Sequence, residues 1–236
     1  MRLGIGLVLT LAPLVAVLWL YLRSLRYLSQ TQRVAFGLGL AILFAALVWP
    51  LDGLADEHLS AHMAQHALLV AVAPPLLLLG HAAAVFAWGG GRAFLGLARV
   101  FSALSRPGPA TVVHGLALWL WHAPAAFQAA ADSHAMHMLQ HVTFFATALL
   151  FWRAVLGART ARRAAAALAA AFITLLHSGL LGALITLAPY PLYGGASLED
   201  QQLAGLIMWV PMGVVYLAAC LALARRLVMD HSLHQG

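Results

Sequence analysis

The stretch AHMAQHALLVAVAPPLLLLG, Ala61–Gly80, decides the fold. It is an apolar run about as long as a helix that crosses a bilayer core. His62 and His66 stand at its head, one helical turn apart, with Met63 beside them. The pattern His-Met-x-Gln-His returns 75 residues later as His137-Met138-Leu139-Gln140-His141, again heading an apolar run. Histidine is costly inside a bilayer when charged and is not needed there for packing. Two such pairs in one chain ask for a common explanation.

The composition agrees with a membrane setting. Of 236 residues, 63% are hydrophobic and 8% charged, against about a quarter charged in a soluble domain. The thirteen basic residues are all arginine. They fall in groups between apolar runs rather than on one soluble face, so the net charge of +6 does not point to nucleic acid. The lone Cys220 sits in the last apolar run, without a Cys-x-x-Cys motif, and reads as a small packing residue.

Taken in order, the apolar runs predict seven transmembrane helices: 3–22, 34–51, 59–79, 110–127, 135–156, 164–188 and 201–224. The first is read as a retained span rather than a signal peptide. Pro74-Pro75 should bend the third or end its regular hydrogen bonding further down. The segment 81–107, with Arg92, Arg99 and Arg106 spaced by seven among apolar residues, reads as an amphipathic surface helix or a connector.

Alternate loops carry arginine at 23–33, 92–106, 153–163 and 225–226, and the others carry acids at 52–57, 132 and 199–200. Twelve of the thirteen arginines thus fall on one side and six of the seven acids on the other. The positive-inside bias then places the N-terminus outside and the C-terminus in the cytoplasm. The expected fold is an all-α polytopic membrane bundle, one transmembrane domain over 1–226 with a short cytoplasmic tail over 227–236.

That topology turns the histidines into a layer. His58, His62, His66, His122, His134, His137 and His141 all fall at outer span ends. His177 lies about 16 Å from the outer end of the sixth span, at 1.5 Å per residue. His62 shares a helical face with His66, and His137 with Met138 and His141; Gln201, Met208 and Met212 share one on the last span. Bundles build metal sites from such inward faces. Imidazole suits copper, zinc and iron, and thioether favours Cu(I), so the set points to copper. Asp52, Asp56, Glu57, Asp132 and Asp200, on the same side, are placed to orient imidazoles or to gather cations.

Some of these residues have plainer readings. His81 and His114 fit helix–helix hydrogen bonds, and His58 and His134 fit solvated loop ends. Met63, Met138, Met208 and Met212 fit packing. Trp119, Trp121, Trp152 and Trp209 fit interfacial anchors.

Four segments, HMAQHALLVAVAPPLLLLG (62–80), WHAPAAF (121–127), HMLQHVTFFATALLFW (137–152) and DQQLAGLIMWVP (200–211), resemble the multi-spanning CtaG family of bacterial cytochrome c oxidase assembly factors. They cover about a quarter of the chain, in the family's order. The resemblance implies a multi-pass protein of the bacterial plasma membrane that assists assembly of a haem–copper oxidase through copper handling, and it implies no catalysis. His62, His66, His137 and His141 would be the core ligands, with His122, His177 and Met63 to complete or exchange them. Asp200, Gln201, Gln202, Trp121 and Trp209 match the family's pattern and would support the ligands from around them. Oxidase subunits or a copper-delivery protein would be the partners, beside membrane lipid.

Three other classes use similar residues. Membrane di-iron oxygenases use histidine boxes, but this chain has no His-His pair. A bis-histidine haem protein suits the repeated motif. A copper or proton transporter also uses histidine layers, although the inner half of this chain is poor in polar residues.

Overall fold

The computed structural model describes residues 2–81 and 103–232, with side chains over 10–81 and 103–229. The described residues are helical and contain no strand. In chain order the helices are α1 (Arg2–Ser24), α2 (Gln30–Leu47), α3 (Leu51–Ala55), α4 (Leu59–Ala67), α5 (Ala73–Leu79), α6 (Pro107–His122), α7 (Pro124–Asp132), α8 (His134–Leu156), α9 (Ala161–Thr186) and α10 (Leu198–Ser232). A single π-helical turn, Leu68–Val72, joins α4 to α5, so 59–79 is one continuous rod.

Among the described residues, five helical segments are long and apolar enough to cross a membrane: Gln30–Leu47, Leu59–Leu79, His134–Leu156, Ala161–Thr186 and Leu198–Met229. The first expected span is helical as α1. The fourth differs from expectation. It is not one helix over 110–127 but breaks at Ala123, because Pro124 lacks the N–H that would continue α6 and instead opens α7. The last helix runs on to Ser232, past the expected start of the tail. Apart from its ends, the amphipathic segment expected over 81–107 lies outside the described residues.

Local chemistry sets several boundaries. Ser29 and Gln32 form a capping box at the head of α2, with the Ser29 N–H donating to Gln32 Oε1 at 2.9 Å. Thr160 caps α9 through the Arg163 N–H. Two apolar cores result. One joins α4 to α6–α10 through residues such as Met63, Phe144, Phe151, Met208 and Tyr216. The other packs α1 and α2 against the π-turn and α5 through Phe36, Leu43, Leu69 and Leu77.

The most extensive helix pairing is α9 with α10. Its backbones meet at Gly182 and Gly205, where a methyl group on Gly205 would lie 2.6 Å from the Thr186 backbone nitrogen. Small residues permit such close approach in a membrane, where packing rather than water exclusion drives association.

The prolines of 59–79 interrupt its regular hydrogen bonding, one of the two expected effects, and do so through a π-turn just before them. Pro74 has no N–H for the carbonyl four residues back, that of Val70. The helix widens into the π-turn just before the prolines. The carbonyl left over takes a hydrogen bond from Trp152 Nε1 of α8 at 2.9 Å. Trp152 is 2% exposed, so it is a core donor and not an interfacial anchor.

The Val70–Trp152 bond yields a direct test. Trp152→Phe leaves a buried carbonyl unpaired and should destabilise the protein by about 1–3 kcal/mol. In a Pro74→Ala background, which restores the missing N–H, the same substitution should cost less. Equal loss in both backgrounds, measured by unfolding in detergent, would contradict the account.

Candidate functional site

Three separate helical segments bring five imidazoles together. α4 contributes His62 and His66, whose ring centres are 4.3 Å apart. α8 contributes His137 and His141, 4.2 Å apart. His122 comes from the last turn of α6, just before the Pro124 break. Between helices, His62 stacks on His137 at 5.3 Å and lies 6.3 Å from His141. His66 meets His141 at 5.4 Å and His122 at 5.7 Å, edge to face. His66 and His122 are 2% and 4% exposed, and Phe144 packs against both.

Side-chain hydrogen bonds hold these helices around the rings. Trp121 is 6% exposed and donates from Nε1 to Thr143 Oγ1 at 2.7 Å, tying α6 to α8 beside the site. Like Trp152, it belongs to the core and not to an interfacial belt. Gln65 of the first His-Met-x-Gln-His motif donates to the Ala46 carbonyl at 2.6 Å and to Asp52 Oδ1 at 3.4 Å. Gln140 of the second is fully buried and makes no such bond among the described residues.

The buried imidazole nitrogens are largely unpartnered. Nε2 of His62, His66, His122, His137 and His141 all lack a hydrogen bond among the described residues. His122 shows what one of them offers. Its Nδ1 is 2.7 Å from the Leu118 carbonyl, which can only accept, so Nδ1 carries the hydrogen. In the neutral ring, Nε2 of His122 is then a bare lone pair, buried and without a donor. An imidazole fixed through its far nitrogen in this way is the usual arrangement of a metal-binding histidine.

Ring spacing bears on fit. Imidazoles sharing an ion at about 2.0–2.1 Å from each nitrogen stand about 5–6 Å apart, centre to centre. The contacts between helices fall near that range. Yet among the described residues no group of three or more His, Cys, Asp or Glu side chains is placed so as to hold a metal ion. The donor chemistry fits a soft or borderline cation; the rings as placed form adjoining pairs rather than a closed shell.

Not every candidate residue lies with the five rings. His177 stands on α9 beside α6, where a methyl on Gly115 would be 3.3 Å from its Nε2, and none of its contacts is with the five. Both its nitrogens are unpartnered. Met63 is fully buried in the main core, as are Met208 and Met212. His114 is the contrast to the five. Thr147 spends its hydroxyl hydrogen on the Thr143 carbonyl, so its oxygen accepts from His114 Nδ1–H, and His114 Nε2 accepts from the Tyr216 hydroxyl. It is a helix–helix tie with both nitrogens satisfied. His81 likewise accepts from Gln32 Nε2 at 2.9 Å.

Residues 14–230 match the family model described as cytochrome c oxidase caa3 assembly factor, Caa3_CtaG. The chain belongs to that family. No curated protein and no solved structure matches it.

The Caa3_CtaG match spans all five rings and the residues expected to support them, whose positions can now be stated. Asp200 does not contact the rings. Its carboxylate accepts from the Leu59 N–H at 2.6 Å and the Ser60 N–H at 3.2 Å, capping α4 from 141 and 140 residues away. His58, at the N-cap position, supplies no such bond. Gln201 is buried and ties the preceding loop to α10, accepting from the Leu192 N–H and donating towards the Ile185 and Tyr190 carbonyls. The Gln202 carbonyl accepts from Thr186 Oγ1 at 3.4 Å. Trp209 covers Gly179 and Gly182 on α9.

Two contacts had no signal in the sequence. Tyr193 is 3% exposed and donates to the His122 carbonyl at 2.9 Å, latching the loop before α10 onto the α6 end. Its ring packs at 4.3 Å on Phe127, which in turn meets His62. Burial pushes the Tyr193 phenol up to about 12, so it remains a donor across neutral pH. Outside the spans, Asp52 is raised above the usual carboxylate range, first by burial; the Asp56 charge adds to this while His137 and the Gln65 amide oppose it.

The Asp200 cap is testable. Asp200→Ala should lower stability by about 0.5–2 kcal/mol, with Asp200→Asn, which keeps an acceptor, losing less. A thermal midpoint unchanged in Asp200→Ala would show that the cap does not hold α4.

Proposed function

We propose that this chain holds copper as cargo and relays it during assembly of a haem–copper oxidase in a bacterial plasma membrane. The observation that carries the reading is the set of buried, unpartnered Nε2 atoms on three helices, with His122 fixed in the lone-pair tautomer. His62, His66, His122, His137 and His141 would take the ion. An arrangement of pairs without a closed shell suits a protein that must both accept and release its cargo. His177 and Met63 would act only if they moved from their present places.

The topology belongs to the same proposal. Seven spans, counting α1 and the broken α6–α7 segment, would put the N-terminus outside and the C-terminal tail in the cytoplasm, the orientation that the arginine asymmetry favours. The five rings would then lie at the outer face of a single transmembrane domain over 1–226. Asp52 and Asp56 sit within electrostatic reach of His137 and would favour a cation there. Oxidase subunits or a copper-delivery protein would receive or supply the ion. The protein would be an assembly factor and not an enzyme.

Elemental analysis after loading with Cu(I) tests this. Wild-type protein should retain copper, and His66→Ala and His141→Ala should each lose most of it. His114→Ala, which removes a ring with both nitrogens engaged, should keep its copper while losing stability. Full retention in His66→Ala and His141→Ala would remove those residues as ligands.

A further inference from the structure

The α3–α4 connection, α7 and the loop before α10 enclose a cavity of about 490 Å³. Two kinds of group line it. Asp56, Glu57 and His58 are exposed, which brings the cavity to the surface; His62 and His137 are partly buried and carry unpartnered buried Nε2 atoms. His66 and His122, at 2% and 4% exposure, do not line it. Asp200 does, but its carboxylate is engaged in the α4 cap. The cavity therefore runs from carboxylates at the surface to the shallow pair of imidazoles, with the deep rings behind: His62 touches His66, and His66 touches His122.

We propose that this cavity is a cation port: a transition-metal ion enters past Asp56, Glu57 and the exposed His58 and meets His62 and His137 before the deep rings of His66 and His122. The inference rests on the copper reading for the identity of the ion, but the route stands on the cavity and its lining. Size agrees, since about 490 Å³ leaves room for an ion with several waters at about 30 Å³ each. Charge agrees too. Carboxylates at the mouth of a cleft with low-dielectric walls concentrate cations and raise their on-rate by about 10–1,000-fold. Water leaves the ion as the shallow imidazoles replace it, and the deep pair follows by exchange from ring to ring.

The test uses full-length protein in lipid nanodiscs and has two arms. In the first, diethyl pyrocarbonate is added without metal and modified histidines are mapped by mass spectrometry. His62 and His137 should be modified and His66 and His122 spared. Ala131→Trp, placed in the cavity wall, should cut modification of His62 and His137 several-fold while the exposed His134 is modified as before. In the second, Asp56→Asn/Glu57→Gln should slow Cu(I) loading about tenfold at low ionic strength, with unchanged final stoichiometry and with the difference erased by salt. Equal modification of His62 and His137 in Ala131→Trp would overturn the route. Wild-type copper uptake with a loading rate indifferent to Asp56 and Glu57 would overturn the cation port while leaving the copper reading intact. Protection by Ala131→Trp with no copper taken up by wild type would support the route and overturn the copper reading.

Discussion

Five imidazoles, each with a buried nitrogen that lacks a hydrogen-bond partner among the described residues, are the constraint around which this bundle is arranged. Each unpaired buried polar atom costs about 1–3 kcal/mol, and a folded chain tolerates several together only where other contacts hold the site. Those contacts are present on every side. Asp200 caps α4, Trp121 ties α6 to α8, Trp152 ties α8 to the π-turn, and Tyr193 latches the loop onto the end of α6. None of these groups spends its hydrogen bond on a ring among the five. These ties hold the helices, and the Nε2 atoms of the rings are left free to bind an ion.

His114 shows that the chain satisfies a buried imidazole where nothing else is asked of it. It has the same side chain, is as deeply buried, and is bonded at both nitrogens. The five rings differ from it in that one face of each is turned to another histidine. Membership of the Caa3_CtaG family gives this difference a setting in cytochrome c oxidase assembly. On the copper proposal, an ion that is passed on needs ligands that are reachable and exchangeable, and adjoining pairs would provide those better than a closed tetrahedral shell.

Much of this was legible in the residues. The length and composition of 59–79 and 135–156 foretold helices almost to the residue, and the repeated His-Met-x-Gln-His put His62 beside His66 and His137 beside His141. What stayed hidden depends on partners distant in the chain. Nothing local to Asp200 tells that its carboxylate ends on Leu59, 141 residues back. Pro74-Pro75 announced a disturbance, but its form, a π-turn with the spare carbonyl given to Trp152, needed the neighbouring helix. The interfacial reading of Trp121 and Trp152 failed for the same reason: their N–H partners are on other helices. At Pro124 the break was readable in principle, since proline opens helices more readily than it continues them; the apolar run through 127 outweighed it.

The central claim is that imidazoles from α4, α6 and α8 share one ion. X-ray absorption on the copper-loaded protein tests it most directly. The account predicts a first shell of two to four nitrogens at about 2 Å with the outer-shell scattering of imidazole rings. A first shell of sulfur, or of oxygen without imidazole scattering, would contradict it.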